Sequence, residues 1–210
     1  TLQPYLIFIP SDYTGERRYP LMVFLHGSGT DERSLSHKNV RRFIPPGFIA
    51  LAPRGRGTSN CFSTQYAQHD IMESMQAVIH DYSIDTNRVL LAGFSMGGYG
   101  VYRTYYEQGK HFRAAAVFSG HPDLANRWSG KNNHPDFRQS AYLKPFQSLP
   151  MFIFHGQKDR NTPFELTQTL IDQLIKTGAR VTWIIEEETG HSLPEEANWQ
   201  RYYRWVKDHF

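Results

Sequence analysis

The sequence predicts an α/β domain built on a mostly parallel, twisted sheet with helices on both faces. Three observations carry this. Seven short apolar runs recur along the 210 residues, and most are separated by stretches of helical periodicity. Several of the runs are continuously apolar rather than alternating, the pattern of central parallel strands buried on both faces. Hydrophobic residues make up 40% of the chain and charged residues 20%, enough apolar surface for a real core. The length suits a single domain spanning 1–210.

The expected strands are YLIFI (5–9), LMVFLHG (21–27), FIALAPRG (48–55), RVLLAGF (88–94), RAAAVFSG (113–120), PMFIFHG (150–156) and RVTWIIEEE (180–188). A helix is expected over 31–43. Another covers 67–82, where Ile71, Met75, Val78 and Ile79 recur at helical spacing. The stretch 96–109 ends at Gly109, a natural stop. The stretch 163–178 opens with Pro163 and closes with Gly178, the expected start and stop pair. The last, 195–210, carries Trp199, Tyr202, Tyr203 and Trp205, an aromatic stripe suited to packing on the sheet. Residues 121–148 break the rhythm. They are polar, long and loop-like, and they read as a lid-like insertion.

Composition narrows the function classes. The net charge is +3, and the longest basic clusters are the pairs Arg17-Arg18 and Arg41-Arg42. These read as solvated charges, so no nucleic-acid partner is expected. The one cysteine, Cys61, rules out an intramolecular disulfide and reads as a small apolar side chain. No run of 18 apolar residues predicts a membrane span. No signal peptide is evident, and the chain begins at Thr1 just ahead of a strand-like run. That pattern points to a trimmed domain or mature protein and leaves localisation and oligomeric state open.

The chemistry concentrates in LLAGFSMGGYG, residues 90–100. Gly93-Phe94-Ser95-Met96-Gly97 fits G-x-S-x-G, and it lies between an expected strand and an expected helix. Such a serine sits on a sharp, strained turn with its hydroxyl above the sheet, and side chains at 93 and 97 would clash. A serine nucleophile needs a base, and the base needs an orienting acid. Asp159 in HGQKD follows one later strand and His191 in TGHS follows the next. Both stand where open α/β sheets bind ligands, in the order acid then histidine. Gly27 and Gly29 in LHGSGTDE leave backbone room for an oxyanion hole. Its donors are assigned to the N–H groups of Ser28 and Met96, with Gly29 as the alternative to Ser28.

Together HGSG, GFSMGG, HGQKD and TGHS resemble the α/β-hydrolase family, over nearly the whole chain from Tyr5 onward. Within it the pattern is similar to the compact bacterial esterase and predicted-peptidase group. That group is akin to feruloyl esterases, polyhydroxybutyrate-depolymerase-type esterases and the catalytic domain of prolyl oligopeptidases. The chain is short for the full fold, with the first strand or two reduced and no large cap. The resemblance implies Ser95 as nucleophile, Asp159 as acid, His191 as base, and Ser28 and Met96 as oxyanion donors. It implies no cofactor.

Other residues compete for roles. His26 and His155 adjoin glycines at strand ends and read as loop-holding groups. His121 and Asp123 form an H-x-D pair with no further ligand cluster, so no metal site is expected. His121, Trp128 and Arg56 are candidates for lining the substrate pocket. Asp70 is expected in a helix and Asp85 in a turn. Glu186, Glu187 and Glu188 read as solvated, with a tuning role at the site as the alternative for one of them. The resulting expectation is a carboxylesterase acting on short-chain or aromatic acyl esters, as small molecules or on polysaccharides. A prolyl-oligopeptidase-type peptidase and a non-catalytic binding module are the alternatives.

Overall fold

A computed structural model describes residues 3–210. Its strands are Tyr5–Phe8 (β1), Tyr19–Leu25 (β2), Ile49–Pro53 (β3), Ile84–Phe94 (β4), Ala114–Phe118 (β5), Pro150–Gly156 (β6) and Arg180–Glu186 (β7). They form one sheet in the order β1-β3-β2-β4-β5-β6-β7. All neighbours are parallel except β1, which runs antiparallel to β3 at one edge. After β3 the chain reverses direction across the sheet and resumes at β4. The strand order therefore switches between β2 and β4, which opens a crevice beyond their carboxyl ends.

Alternation along each strand divides the core into two layers. Leu21, Val23 and Leu25 of β2 face one cluster, and Met22 and Phe24 face the other. The first layer is covered by α1 (Gln65–Asp81), α2 (Met96–Gln108) and α4 (Phe164–Thr177). The second is covered by α5 (Glu196–His209), whose Trp199, Tyr202 and Trp205 are buried on the sheet as the aromatic stripe predicts. Local signals fix the helix ends. The Thr64 hydroxyl caps α1 by accepting the Ala67 N–H. Gly178 closes α4 with φ of 91°, the left-handed conformation that glycine adopts without strain.

Two expectations give way. Residues 31–43 form two 3-10 turns, Glu32–Ser36 and Val40–Phe43, instead of one helix. The Asp31 carboxylate takes the Arg33 N–H, and the Ser36 hydroxyl donates back to the Arg33 carbonyl. These local bonds compete with helical ones. The 121–148 segment is not one continuous loop. It contains a short helix, α3 (Leu124–Ser129), and it buries Phe137, Leu143 and Phe146 against the tyrosines of α2. The Tyr99 hydroxyl donates to the Pro135 carbonyl, 3.2 Å away, and an Asp123–Arg138–Asp136 ion cluster ties the segment to itself.

Candidate active site

Ser95 sits between the last residue of β4 and the first of α2, with φ 56° and ψ −114°. A non-glycine residue at positive φ with that ψ is strained, and it persists because its surroundings fix it. The Ser95 N–H donates to Phe118 of β5, and its carbonyl accepts the Gly98 N–H. The flanking glycines permit the close approach. A Cβ on Gly97 would overlap the Leu25 carbonyl of β2, and one on Gly93 would overlap the Gly97 carbonyl.

The structure brings three distant residues together above the sheet. His191 Nε2 lies 2.8 Å from Ser95 Oγ, and His191 Nδ1 lies 2.7 Å from Asp159 Oδ2. These distances fit one tautomer, with Nδ1–H donating to the carboxylate and Nε2 accepting from the serine hydroxyl. The Asp159 side chain is fully buried. Its Oδ1 accepts the N–H groups of Asn161 and Thr162, and its Oδ2 also accepts the Thr162 hydroxyl. Burial alone would raise this carboxyl. The hydrogen bonds from His191 and Thr162 outweigh burial and hold it at about 2.

A second histidine, this one buried, stands behind the acid. His155 Nε2 donates to the Thr162 carbonyl at 2.7 Å, and Thr162 in turn grips Asp159. Burial holds His155 below the usual imidazole range, so it is a neutral prop. His26 likewise holds loops, with its ring between the Gly27 and Arg54 carbonyls.

The backbone donors differ in availability. The Gly29 N–H is spent on the Thr58 carbonyl at 2.8 Å. The N–H groups of Ser28 and Met96 have no protein acceptor among the described residues. Met96 opens α2, where the first N–H groups lack intrahelical partners and the helix dipole favours negative charge.

A cavity of about 540 Å³ adjoins Ser95, Ser28 and His191. Its wall includes Phe24, Val40, Phe43, Phe94 and Leu193, and no carboxylate among the described residues lines it. The 3-10 turns of residues 32–43 supply Ser34, Val40 and Phe43, residues that the sequence reading did not place at the site. None of the three expected pocket residues lines it. Trp128 is 45% exposed on α3, away from the cavity. His121 is buried, with Nδ1 accepting the Asp123 N–H, and burial and nearby Arg127 push it down to about 4. Arg56 turns toward Asp70 and Glu73 of α1. Cys61 is buried, and its thiol is pushed up to about 12, which leaves no thiolate at neutral pH.

Glu186 also departs from expectation. It is 9% exposed, and its carboxylate accepts the Thr189 hydroxyl, the Glu195 N–H and the Asn198 side-chain amide. It staples both arms of the loop that carries His191. Strand alternation carried the signal, since Glu186 is two residues beyond buried Ile184 in β7.

Comparison with known proteins agrees with this architecture. The chain is 22% identical to mouse (Mus musculus) dipeptidyl peptidase 8, over 94% of this chain and 26% of that protein. It is 28% identical to a bifunctional acetylxylan esterase/xylanase of Neocallimastix patriciarum, over 67% of this chain and 19% of that protein. The chain thus spans about a fifth to a quarter of the length of these curated relatives. A solved ferulic acid esterase superposes with a TM-score of 0.75 at 17% identity, covering 99% of this chain and 93% of that one, which supports the α/β-hydrolase fold. The model of the prolyl oligopeptidase family matches residues 47–210. With most of its length inside that match, the chain belongs to the prolyl oligopeptidase family, among the serine hydrolases of α/β-hydrolase fold.

Proposed function

We propose that the protein is a serine carboxylesterase that cleaves short-chain or aromatic acyl esters through an acyl-enzyme. The observation that carries this reading is the Ser95–His191–Asp159 hydrogen-bond chain at the mouth of a largely apolar cavity with no carboxylate among its described lining residues.

His191 Nε2 takes the Ser95 proton as Oγ attacks the ester carbonyl. Asp159 holds the imidazole in the required tautomer and stabilises the imidazolium. The Ser28 and Met96 N–H groups receive the oxyanion, an interaction worth about 3 kcal/mol per donor in other enzymes. The tetrahedral adduct collapses, the C–O bond breaks, and His191 returns the proton to the departing alcohol. Water then attacks the acyl-enzyme with His191 again as base, and the carboxylic acid leaves. The apolar wall of Val40, Phe43, Phe94 and Leu193 accommodates the acyl group. Likeness to an acetylxylan esterase supports an alcohol side that is either small or part of a polysaccharide.

A peptidase is the second reading, favoured by the likeness to dipeptidyl peptidase 8. A site that trims peptides from a free amino terminus needs an anion to hold the ammonium. The cavity beside Ser95 offers none among the described residues.

Covalent labelling tests the nucleophile. A fluorophosphonate should modify wild type once, on the peptide containing Ser95, and leave Ser95→Ala unmodified. Labelling elsewhere, or none at all, would remove Ser95 from this role.

A further inference from the structure

The free N–H of Ser28 is fixed from both sides by a hydrogen-bond relay that begins in α1. We infer that Asp70, Thr30 and Ser59 are positioning residues for the oxyanion hole, an assignment that rests on the serine-esterase reading above.

The first part of the relay follows from peptide geometry. The Gly27 carbonyl and the Ser28 N–H belong to one planar trans peptide and point in opposite directions. The Thr30 hydroxyl donates to that carbonyl at 2.8 Å. Holding the oxygen on one side aims the Ser28 N–H to the other. The next peptide is held through its N–H. Gly29 donates to the Thr58 carbonyl at 2.8 Å, and Ser59 Oγ lies 3.3 Å from both the Gly29 nitrogen and Ser28 Oγ. Both peptides flanking Ser28 are thereby locked, and Ser28 keeps the unclaimed donor.

The second part explains why the 54–63 loop can serve as the anchor. Gly55, Arg56, Cys61 and Phe62 all have positive φ, between 51° and 65°. Three of these are not glycine, and a non-glycine residue in that region is strained. A loop so strained holds its shape only if it is clamped. Asp70, 2% exposed on α1, accepts the Gly55 N–H at 2.7 Å. The Asn60 side chain bridges the Gly55 carbonyl and the Phe62 N–H, and the Gln68 amide donates to the Phe62 carbonyl at 2.7 Å. Asp70 is thus the buried root of a path through Gly55, Thr58 and Gly29 to Ser28.

This relay would act on the transition state alone, because the oxyanion forms only there. The test compares wild type, Asp70→Ala, Asp70→Asn, Thr30→Ala and Ser59→Ala. Two quantities are read: p-nitrophenyl butyrate turnover, and affinity for an aryl trifluoromethyl ketone, which forms a tetrahedral oxyanion on serine. Asp70→Ala should lower kcat by about 10- to 100-fold with KM within about twofold, and weaken the ketone in proportion. Asp70→Asn keeps an oxygen acceptor for the Gly55 N–H and should stay within about threefold of wild type. Thr30→Ala should lose about tenfold in the same pattern and Ser59→Ala a few-fold. These two lie on the surface and keep the test alive if Asp70→Ala does not fold. Unchanged kcat and ketone affinity in Thr30→Ala and Ser59→Ala would overturn the relay, as would losses confined to KM. If wild type binds the ketone no better than its non-fluorinated parent, the oxyanion hole itself is misassigned, a failure distinct from that of the relay.

Discussion

His191 Nε2 and Ser95 Oγ stand 2.8 Å apart although 96 positions separate them in sequence. β4 ends at Phe94, just before Ser95, and the loop after β7 reaches back across β5 and β6 to deliver the imidazole. The sheet order, the strained turn and the stapled loop all converge on this one distance.

Asp159 receives four hydrogen bonds on its two oxygens. Asp159→Asn would put an NH₂ among donors and favour the wrong imidazole tautomer. Ester turnover should fall by about 10⁴-fold, as in other triads, with the fold intact by circular dichroism. Because the folded carboxyl lies at about 2 against an ordinary 3.8, its contribution to stability is present above pH 4. It is lost as pH falls from 4 through 2, and it amounts to about 2 kcal/mol. Urea titrations across that window should show a smaller pH dependence in Asp159→Asn than in wild type.

Glu186 should matter for catalysis without touching substrate. Glu186→Ala frees Thr189, the Glu195 N–H and Asn198 and loosens the histidine loop. We expect kcat to drop by about tenfold or more, with hydrogen exchange rising specifically over residues 187–195. Unchanged exchange there would show that other contacts hold the loop.

Gly97→Ala inverts an ordinary helix rule. In a free helix the change stabilises by about 1 kcal/mol. Here the new methyl group would meet the Leu25 carbonyl, so unfolding should occur at lower urea, by about 3 kcal/mol or more. A stabilised variant would mean that the turn has room for a methyl group beside the Leu25 carbonyl.

Val40 offers a handle on acyl preference. It lines the cavity from the turn of residues 40–43 and is half-buried. Val40→Trp should reduce kcat/KM for the octanoate ester about tenfold or more while leaving acetate within about threefold. Equal loss on both esters would place the acyl group elsewhere.

Much of this was legible in the sequence. Continuous apolar runs gave the parallel strands, and G-x-S-x-G gave the turn at Ser95. What escaped depends on long-range packing. Phe137, Leu143 and Phe146 are scattered in a polar stretch, and only the tyrosine face of α2 shows where they go. Trp128 and Arg56 have residue types that suit a pocket, but nothing local says which way a loop turns. Asp70 reads as an ordinary helix carboxylate until the 54–63 loop folds onto it. Residues 31–43 failed as a helix because serine and aspartate side chains bond their own backbone there.

Ser95-dependent ester cleavage is the activity from which the catalytic expectations follow. Its most direct test is turnover of p-nitrophenyl acetate, butyrate and octanoate, a feruloyl ester and a dipeptide p-nitroanilide by wild type and Ser95→Ala. Wild type should hydrolyse the esters, with little action on the anilide, and Ser95→Ala should lose essentially all turnover while remaining folded. Dominant anilide cleavage would make the site a peptidase, and ester turnover surviving in Ser95→Ala would contradict the account.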